Sequence, residues 1–166
     1  TGAEMKILFT STAQRQHTGF SRWLMSRMDS VITTCEPAAA YLRIHRGADK
    51  LIPHGVDTSR YTPSKESKEQ QLQALGIAAK QAVGIFGRVR LSKGVDILIE
   101  SMIPVLRQLE EVTVVVVGEC LPKDDSFRRK LQGTLRNAGL EDRVLFLGKQ
   151  PYEKIPALIR AMSVVT

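Results

Sequence analysis

The sequence has too few cysteines for a disulfide framework, and its histidines and cysteines are not spaced as metal ligands. Cys35 and Cys120 lie far apart along the 166 residues. The three histidines show none of the short repeats that hold zinc; they are His17, His45 and His54. These features predict a reducing compartment, two buried free cysteines and no bound metal.

Long apolar runs are also missing. No run approaches the roughly 20 residues that a membrane-spanning helix needs. The first residues lack the basic and apolar regions of a secretory signal, so a cytoplasmic location is expected. Aromatic residues make up only 5% of the chain, which leaves few rings for stacking on bases. Because no helix-turn-helix or RNA-binding signature is present either, we expect no nucleic-acid partner.

Positive charge, by contrast, is in excess. The formal net charge is +7 and the pI is near 9.7. Such a surface attracts polyanions, among them nucleic acid, anionic lipid and phosphorylated substrates, and the charge alone does not choose between them. The densest basic run is residues 128–130, on a helix whose apolar stripe is Phe127, Leu131 and Leu135. We expect that run to form a solvated face.

Strand and helix patterns alternate along the chain, which predicts an α/β protein with parallel sheets. The near-continuous valine run at residues 112–117 is typical of a strand covered on both faces. Pro104 is expected to kink its helix or end the first half of it. A polar stretch after Pro63 places a boundary between residues 1–62 and 63–166. The predicted strands cover residues 6–10, 30–34, 50–53, 82–86, 112–117, 143–147 and 163–166, and the predicted helices cover residues 19–28, 37–44, 69–75, 94–109, 124–138 and 152–162.

The most informative segment is a glycine-bracketed basic loop, residues 87–94, between a predicted strand and a predicted helix. Glycines allow close backbone approach, a helix N-terminus offers free N–H donors, and Arg88 and Lys93 add fixed cations. The loop therefore suits a diphosphate, although its spacing matches neither a Walker loop nor a dinucleotide fingerprint. The same pattern also occurs as a turn that binds no ligand.

Three glycines, Gly87, Gly118 and Gly148, each follow a predicted strand. Ligands of open parallel sheets bind at the carboxyl ends of the strands. If these strands are neighbours, the three turns line one rim with room for a nucleotide. Each glycine taken singly is also consistent with an ordinary tight turn.

Three segments carry a resemblance to the family-4 retaining glycosyltransferases of the GT-B fold. Residues 52–63 (IPHGVDTSRYTP) resemble the segment that leads into the second domain of that family. The loop around Gly87-Arg88 and Lys93-Gly94 resembles its diphosphate-binding loop, and residues 144–148 (VLFLG) resemble a strand beside the nucleobase. Residues 8–15 (LFTSTAQR), with residues 17–20 (HTGF), further resemble bacterial lipopolysaccharide core mannosyltransferases.

The resemblance implies two Rossmann-like portions, both incomplete, with residues 1–62 from the acceptor-side domain and residues 63–166 from the donor-side domain. It implies that Arg88 and Lys93 bind the donor diphosphate and stabilise the charge that grows on it, without a metal. The implied binding residues are Gly87, Arg88, Lys93, Gly118, Leu147, Gly148 and Lys149. His17 is a further candidate from its position in the sequence alone, and the alternative is a loop histidine with no chemical role. Paired glutamates of the family would lie beyond Thr166, so the isolated piece is expected to be inactive.

The implied function is transfer of a hexose, mannose from GDP-mannose, onto a lipopolysaccharide core, at the inner face of an anionic membrane. Two alternatives stay open. One is a non-enzymatic basic α/β module that binds nucleotides or nucleic acid. The other is a relative of glycogen or sucrose synthase, which shares the fold.

Overall fold

A computed structural model describes residues 4–10, 19–42 and 47–166. The chain divides into two compact units, residues 1–56 and residues 57–166. Each unit contains one parallel sheet covered by helices. The α/β class and the parallel pairing predicted from the alternating pattern are therefore confirmed.

The first unit has a three-stranded sheet in the order β1-β2-β3. Its strands are β1 (Ile7–Thr10), β2 (Ser30–Thr33) and β3 (Lys50–Leu51), and its helices are α1 (Gly19–Ser26) and α2 (Glu36–Leu42). The buried core cluster found among its described residues consists of Met25 and Val31. The carboxylates of Asp29 and Asp49 accept the backbone N–H groups of Lys6 (2.8 Å) and Val31 (2.6 Å).

The second unit has a four-stranded sheet in the order β6-β5-β4-β7. The strands are β4 (Gln81–Phe86), β5 (Val112–Val117), β6 (Val144–Gly148) and β7 (Val164–Val165). The helices are α3 (Lys68–Ala74), α4 (Val95–Gln108), α5 (Asp125–Ala138) and α6 (Ile155–Ala161). Register runs from Gln81 opposite Val112 to Phe86 opposite Val117.

All six residues of β5 are buried, as the valine run predicts. Val114 and Val116 pack in one core cluster, with Ile99 of α4 and Leu135 of α5, on one face of the sheet. Val115 and Val117 pack on the opposite face with α3 and α6. The alternation of side chains along a strand therefore gives β5 two cores, one on each face.

Helix α4 continues through Pro104 to Gln108, so the expectation that Pro104 could end the helix is wrong. Pro104 is exposed, while Met102 and Leu106 on either side of it are buried against the sheet. Proline costs the helix one backbone hydrogen bond, and burial of the apolar stripe on both sides outweighs that loss.

Two sets of side-chain hydrogen bonds satisfy backbone groups at helix ends in the second unit. The guanidinium of Arg143 donates to the carbonyls of Leu109 (2.8 Å) and Val112 (2.6 Å), where α4 ends and β5 begins. Helix α3 begins with a capping box between Ser67 and Gln70, in which each side chain accepts the other residue's backbone N–H. The hydrogen bonds from Arg143 satisfy carbonyls that are left free where the chain turns from helix to strand.

The segment before α3 and the first residue of α3 contact α6 and the turn that precedes it. The Arg60 guanidinium lies 4.9 Å from the ring centroid of Tyr152, and Arg160 donates to the Arg60 carbonyl (3.2 Å). Lys68 donates to the Arg160 carbonyl (2.6 Å). Residues from Asp57 onward thus belong to the second unit.

The cysteine prediction needs correction. Cys35 is exposed and Cys120 is half-buried, and both are free thiols. Cys35 follows the end of β2 and Cys120 lies in the loop after β5, so neither stands on a core-facing strand or helix position. No helix of the described part is both long enough and apolar enough to cross a membrane.

Candidate functional site

The three glycine turns meet at one edge of the second sheet. Gly87, Gly118 and Gly148 follow or end β4, β5 and β6, and these three strands are adjacent. The Gly87 N–H donates to the Val117 carbonyl (2.9 Å), and the Gly118 N–H donates to the Gly148 carbonyl (2.9 Å). The turns are therefore hydrogen-bonded to one another's strands along the carboxyl edge, the edge at which open sheets bind ligands.

Gly118 stands where only glycine fits. A Cβ atom at this position would lie 1.8 Å from the Gly87 carbonyl oxygen and 3.3 Å from the Arg88 nitrogen, and the φ angle is +154°. Any side chain would push the basic loop away from β5. Gly118 thus fixes how closely the loop approaches the neighbouring strand.

The basic loop leaves β4 and turns into α4. The Val89 side chain is buried in the core, and its N–H donates to the Glu119 carbonyl (2.9 Å). Residues Leu91–Lys93 form one turn of 3₁₀ helix, and Gly94 follows in the left-handed conformation. The loop is thereby anchored at its middle and at its end.

Arg88 and Lys93 project from this anchored loop and are exposed. The Lys93 Cδ atom lies 3.9 Å from the place where a Cβ of Gly87 would stand, so the lysine stem folds back over the first residue of the loop. Within the described ranges, neither side chain has an ion pair or a hydrogen bond to protein. Two cations at a sheet edge without protein partners suit an anion from solution.

Beside the loop lies a cleft of about 460 Å³, which we call the edge cleft. Its volume is within the usual range for small-ligand sites. It is lined by Val89, Gly118, Glu119, Cys120, Leu121, Pro122, Asp125, Arg128, Phe146, Gly148 and Lys149.

The residues singled out from the sequence fall into three groups. Gly118, Gly148 and Lys149 line the edge cleft. Gly87, Arg88 and Lys93 belong to the basic loop at the same sheet edge, outside the lining of the cleft. The side chain of Leu147 packs against the core on the α3 and α6 side, and His17 lies outside the described residues.

The charged pair Asp125 and Arg128 also lines the cleft and was not among the predicted site residues. Asp125 Oδ1 accepts from Arg128 Nε (3.2 Å) and Nη2 (2.7 Å). The hydrogen bond from Arg128 holds the pKa of Asp125 below its ordinary value, so the carboxyl group is ionised near neutral pH. The expectation of a solvated face holds for Arg129 and Lys130, which are exposed, but Arg128 lines the cleft.

The positions of Asp125 and Arg128 in the sequence could have indicated that they lie at the cleft. Asp125 and Arg128 are three residues apart in the first turn of the helix that follows the Gly118 turn. Residues at that spacing share a helix face, and the start of this helix lies at the carboxyl edge of the sheet. No group of three or more metal-ligating side chains occurs in residues 4–10, 19–42 and 47–166.

The family model described as "Glycosyl transferases group 1" matches residues 67–166. The lipopolysaccharide core biosynthesis mannosyltransferase LpcC of Rhizobium leguminosarum bv. viciae is 42% identical over 151 residues, which is 91% of this chain and 42% of that protein. The chain thus spans less than half the length of this curated relative.

Solved structures give the same result. The C-terminal domain of a glycosyl transferase group 1 family protein (LpcC) from Francisella tularensis superposes with a TM-score of 0.63 at 37% identity, over 67% of this chain and 57% of that one. Anabaena HepE, solved with UDP and glucose, superposes with a TM-score of 0.77 at 25% identity, over 96% of this chain and 45% of that one. Such neighbours are GT-B glycosyltransferases, in agreement with the fold expected from the sequence.

Proposed function

Because this chain belongs to the group 1 glycosyl transferases, we propose that its second unit binds the diphosphate of a nucleotide sugar at the basic loop. The observation that carries the proposal is the carboxyl edge itself. There Gly118 holds the loop against β5, and Arg88 and Lys93 stand exposed beside the edge cleft. The diphosphate would lie on the loop, and the nucleoside would extend into the cleft.

The chemical role of the two cations follows from the leaving group. When the bond between the sugar and the diphosphate breaks, negative charge grows on the diphosphate. Arg88 and Lys93 would stabilise that charge in the transition state, a contribution that is commonly large when the donors are already in place. In this proposal the two side chains neutralise the leaving group, and no step requires a metal.

For the whole enzyme we propose transfer of mannose from GDP-mannose to a lipopolysaccharide core, with retained anomeric configuration and in the cytoplasm. The name of the Rhizobium relative supports the sugar and the acceptor. In this proposal residues 63–166 bind the donor, and residues 1–62 belong to the acceptor side. The family model begins at residue 67, which supports a donor-binding unit that starts close to that boundary.

The test is calorimetric titration of the purified chain with GDP. Each of Arg88→Ala and Lys93→Ala should weaken GDP binding by about ten-fold, the usual cost of losing a charge-assisted hydrogen bond. Arg107→Ala is the matched control, since Arg107 is an exposed cation near the far end of α4. Unchanged GDP affinity in both loop variants would remove the proposed site.

Peripheral contact with an anionic membrane is a further part of the proposal, and helix α1 supports it. Phe20 and Trp23 are 70% and 50% exposed and stack with ring centroids 5.9 Å apart. The Arg27 guanidinium lies 4.5 Å from the Trp23 ring centroid, and Arg22 on the same helix is also exposed. Exposed aromatics beside cations match the interface of an anionic bilayer.

Vesicle sedimentation tests this contact. The purified chain should sediment with vesicles containing anionic lipid and not with purely zwitterionic ones. A Phe20→Ala, Trp23→Ala double variant should bind several-fold less, because two interfacial rings are removed. Equal sedimentation of the variant and the parent chain would place the contact elsewhere.

A further inference from the structure

The wall of the edge cleft formed by α5 carries an ordered ion pair. Asp125 Oδ1 accepts two N–H groups of Arg128, and Asp125 Oδ2 forms an ion pair with Arg129, whose Nε lies 3.2 Å away. Arg128 also lies beside the Cys120 thiol. The carboxylate is thus held in one orientation by two guanidinium groups.

The two arginines differ in where they lie. The side chain of Arg128 is 39% exposed and lines the cleft, whereas that of Arg129 is 72% exposed and does not. Asp125 therefore has one partner inside the cleft and one on the outer surface. The cleft side of the pair presents a carboxylate next to a guanidinium.

The remaining lining suits a flat heteroaromatic ring. Val89, Leu121 and Phe146 supply apolar groups, and Gly118 and Gly148 leave backbone uncovered by side chains. Glu119 and Lys149 are the other charged residues of the lining and lie outside the α5 wall. Apolar walls with a few placed polar groups are the usual composition of small-molecule sites. The polar groups on the α5 wall are then in position to select among rings by their hydrogen-bonding edge.

Resting on the proposed function, we propose that Asp125 and Arg128 read the base of the donor nucleotide and select guanine. Guanine presents two adjacent donors, N1–H and the N2 amine, next to the O6 acceptor. The Asp125 carboxylate would accept from the two donors and Arg128 would donate to O6. Each carboxylate oxygen has two lone pairs and a guanidinium has five N–H groups, so both keep capacity beyond their mutual contact.

Other bases match this pair less well. Uracil offers one N–H between two carbonyl oxygens, and both oxygens would face the negative carboxylate. Adenine offers an amine beside an acceptor nitrogen, so one of its contacts with the carboxylate is repulsive. Acceptor atoms that face a carboxylate disfavour the wrong base, in addition to the contacts that this base lacks.

An ion pair at a helix start also stabilises a helix without reading any ligand. Base selectivity separates the two roles. The test is calorimetric titration of the purified chain with GDP, UDP, inorganic pyrophosphate and IDP, in which the N2 amine is replaced by hydrogen. The variants are Asp125→Asn and Arg128→Met, with Lys130→Gln as the control that removes an exposed cation of the same helix outside the ion pair.

The parent chain should bind GDP about ten-fold more tightly than UDP, and IDP should fall between them, as expected for contacts to a base edge. Asp125→Asn should remove the difference between GDP and IDP and leave pyrophosphate binding unchanged. Arg128→Met should weaken GDP and IDP by the same factor, since both have O6. Lys130→Gln should behave as the parent chain, because Lys130 is exposed and does not line the cleft.

The outcomes distinguish this inference from the proposed function. If the parent chain binds the three nucleotides equally and Arg88→Ala weakens all of them, the diphosphate site stands and base reading by this pair is wrong. If Asp125→Asn weakens every ligand alike, pyrophosphate included, Asp125 has only a structural role and the inference fails. If neither pyrophosphate nor any nucleotide binds, the proposed function fails with it.

Discussion

The two units of the chain share an alternating architecture but differ in how their sheets are buried. In residues 57–166 every residue of β5 is buried and the sheet has a core on each face. In residues 1–56 β2 alternates half-buried and buried positions, and the core cluster seen in the described part has two members, Met25 and Val31. The comparison shows that the turns of the candidate site are attached to the more deeply buried sheet.

This difference suits the chemistry that we propose for the site. A site that stabilises developing charge needs donors and cations that do not move as the charge appears. Gly118, the basic loop and the edge cleft all depend on β4, β5 and β6. Amide hydrogen exchange should therefore be slowest in β5 and faster in β2, because local opening is easier where less surface is buried.

The largest effect is expected from a substitution at the carboxyl edge of the second sheet, where the candidate site lies. Gly118→Ala should destabilise residues 57–166 by about 3 kcal/mol or more, because its Cβ would overlap the Gly87 carbonyl and the backbone conformation is strained for alanine. GDP binding should be lost at temperatures where the variant is still folded. Urea unfolding and calorimetry measure the two effects.

Gly133→Ala in α5 is the matched control. There is open space where the Cβ of residue 133 would stand, and alanine in a helix interior is favoured over glycine by about 0.5–1 kcal/mol. This variant should be slightly more stable than the parent chain. Equal stability of the Gly118 variant and the Gly133 variant would refute the close approach of loop and strand.

Truncation of one buried core residue in each unit should have an intermediate effect on stability. Ile99→Ala should cost toward the upper part of the range of about 2–5 kcal/mol for such truncations, because Ile99 is fully buried. Met25→Ala in the first unit should cost nearer the lower end, since the smaller cluster there relaxes more easily around the gap. Urea unfolding followed by probes in each unit gives both values. A larger loss of unfolding free energy for Met25→Ala than for Ile99→Ala would contradict the conclusion that the second sheet is the more deeply buried one.

The smallest expected effect is a pH dependence confined to the second unit. The pKa of Asp125 is lowered in the folded chain, chiefly by its hydrogen bond from Arg128. The stabilisation is present above the unfolded pKa of about 4 and is lost as pH falls through the lower folded value, because the unfolded chain takes up the proton first. The pair is partly exposed, so the change is modest.

Asp125→Asn should flatten this acid dependence. Urea midpoints of the parent chain and the variant should differ at pH 7 and approach each other as pH falls below the unfolded pKa of about 4, because only the parent carboxyl group gains a proton. The convergence should appear in the transition of residues 57–166. The same acid sensitivity in both proteins would mean that Asp125 is not the titrating group.

Much of this architecture could be predicted from the sequence. The valine run and the alternating pattern identified the parallel sheet, and the glycines after three strands located its carboxyl edge. These signals are local, since they depend on periodicity and on the turn residues that follow each strand.

What could not be predicted depends on packing between elements. The stripe on α5 indicated that Arg128 faces solvent, but the helix begins close enough to the Gly118 turn for its first-turn residues to line the cleft. The uninterrupted course of α4 through Pro104 depends likewise on burial of Met102 and Leu106 against the sheet. The half-buried position of Cys120 follows from the loop that borders the same cleft.

The central claim is that the carboxyl edge of the second sheet binds a nucleoside diphosphate. A crystal structure of the chain with GDP tests it most directly. The claim predicts the diphosphate within hydrogen-bonding distance of Arg88 and Lys93, with the guanine ring in the edge cleft. A GDP molecule bound at another place, with the basic loop and the cleft in contact with solvent alone, would contradict it.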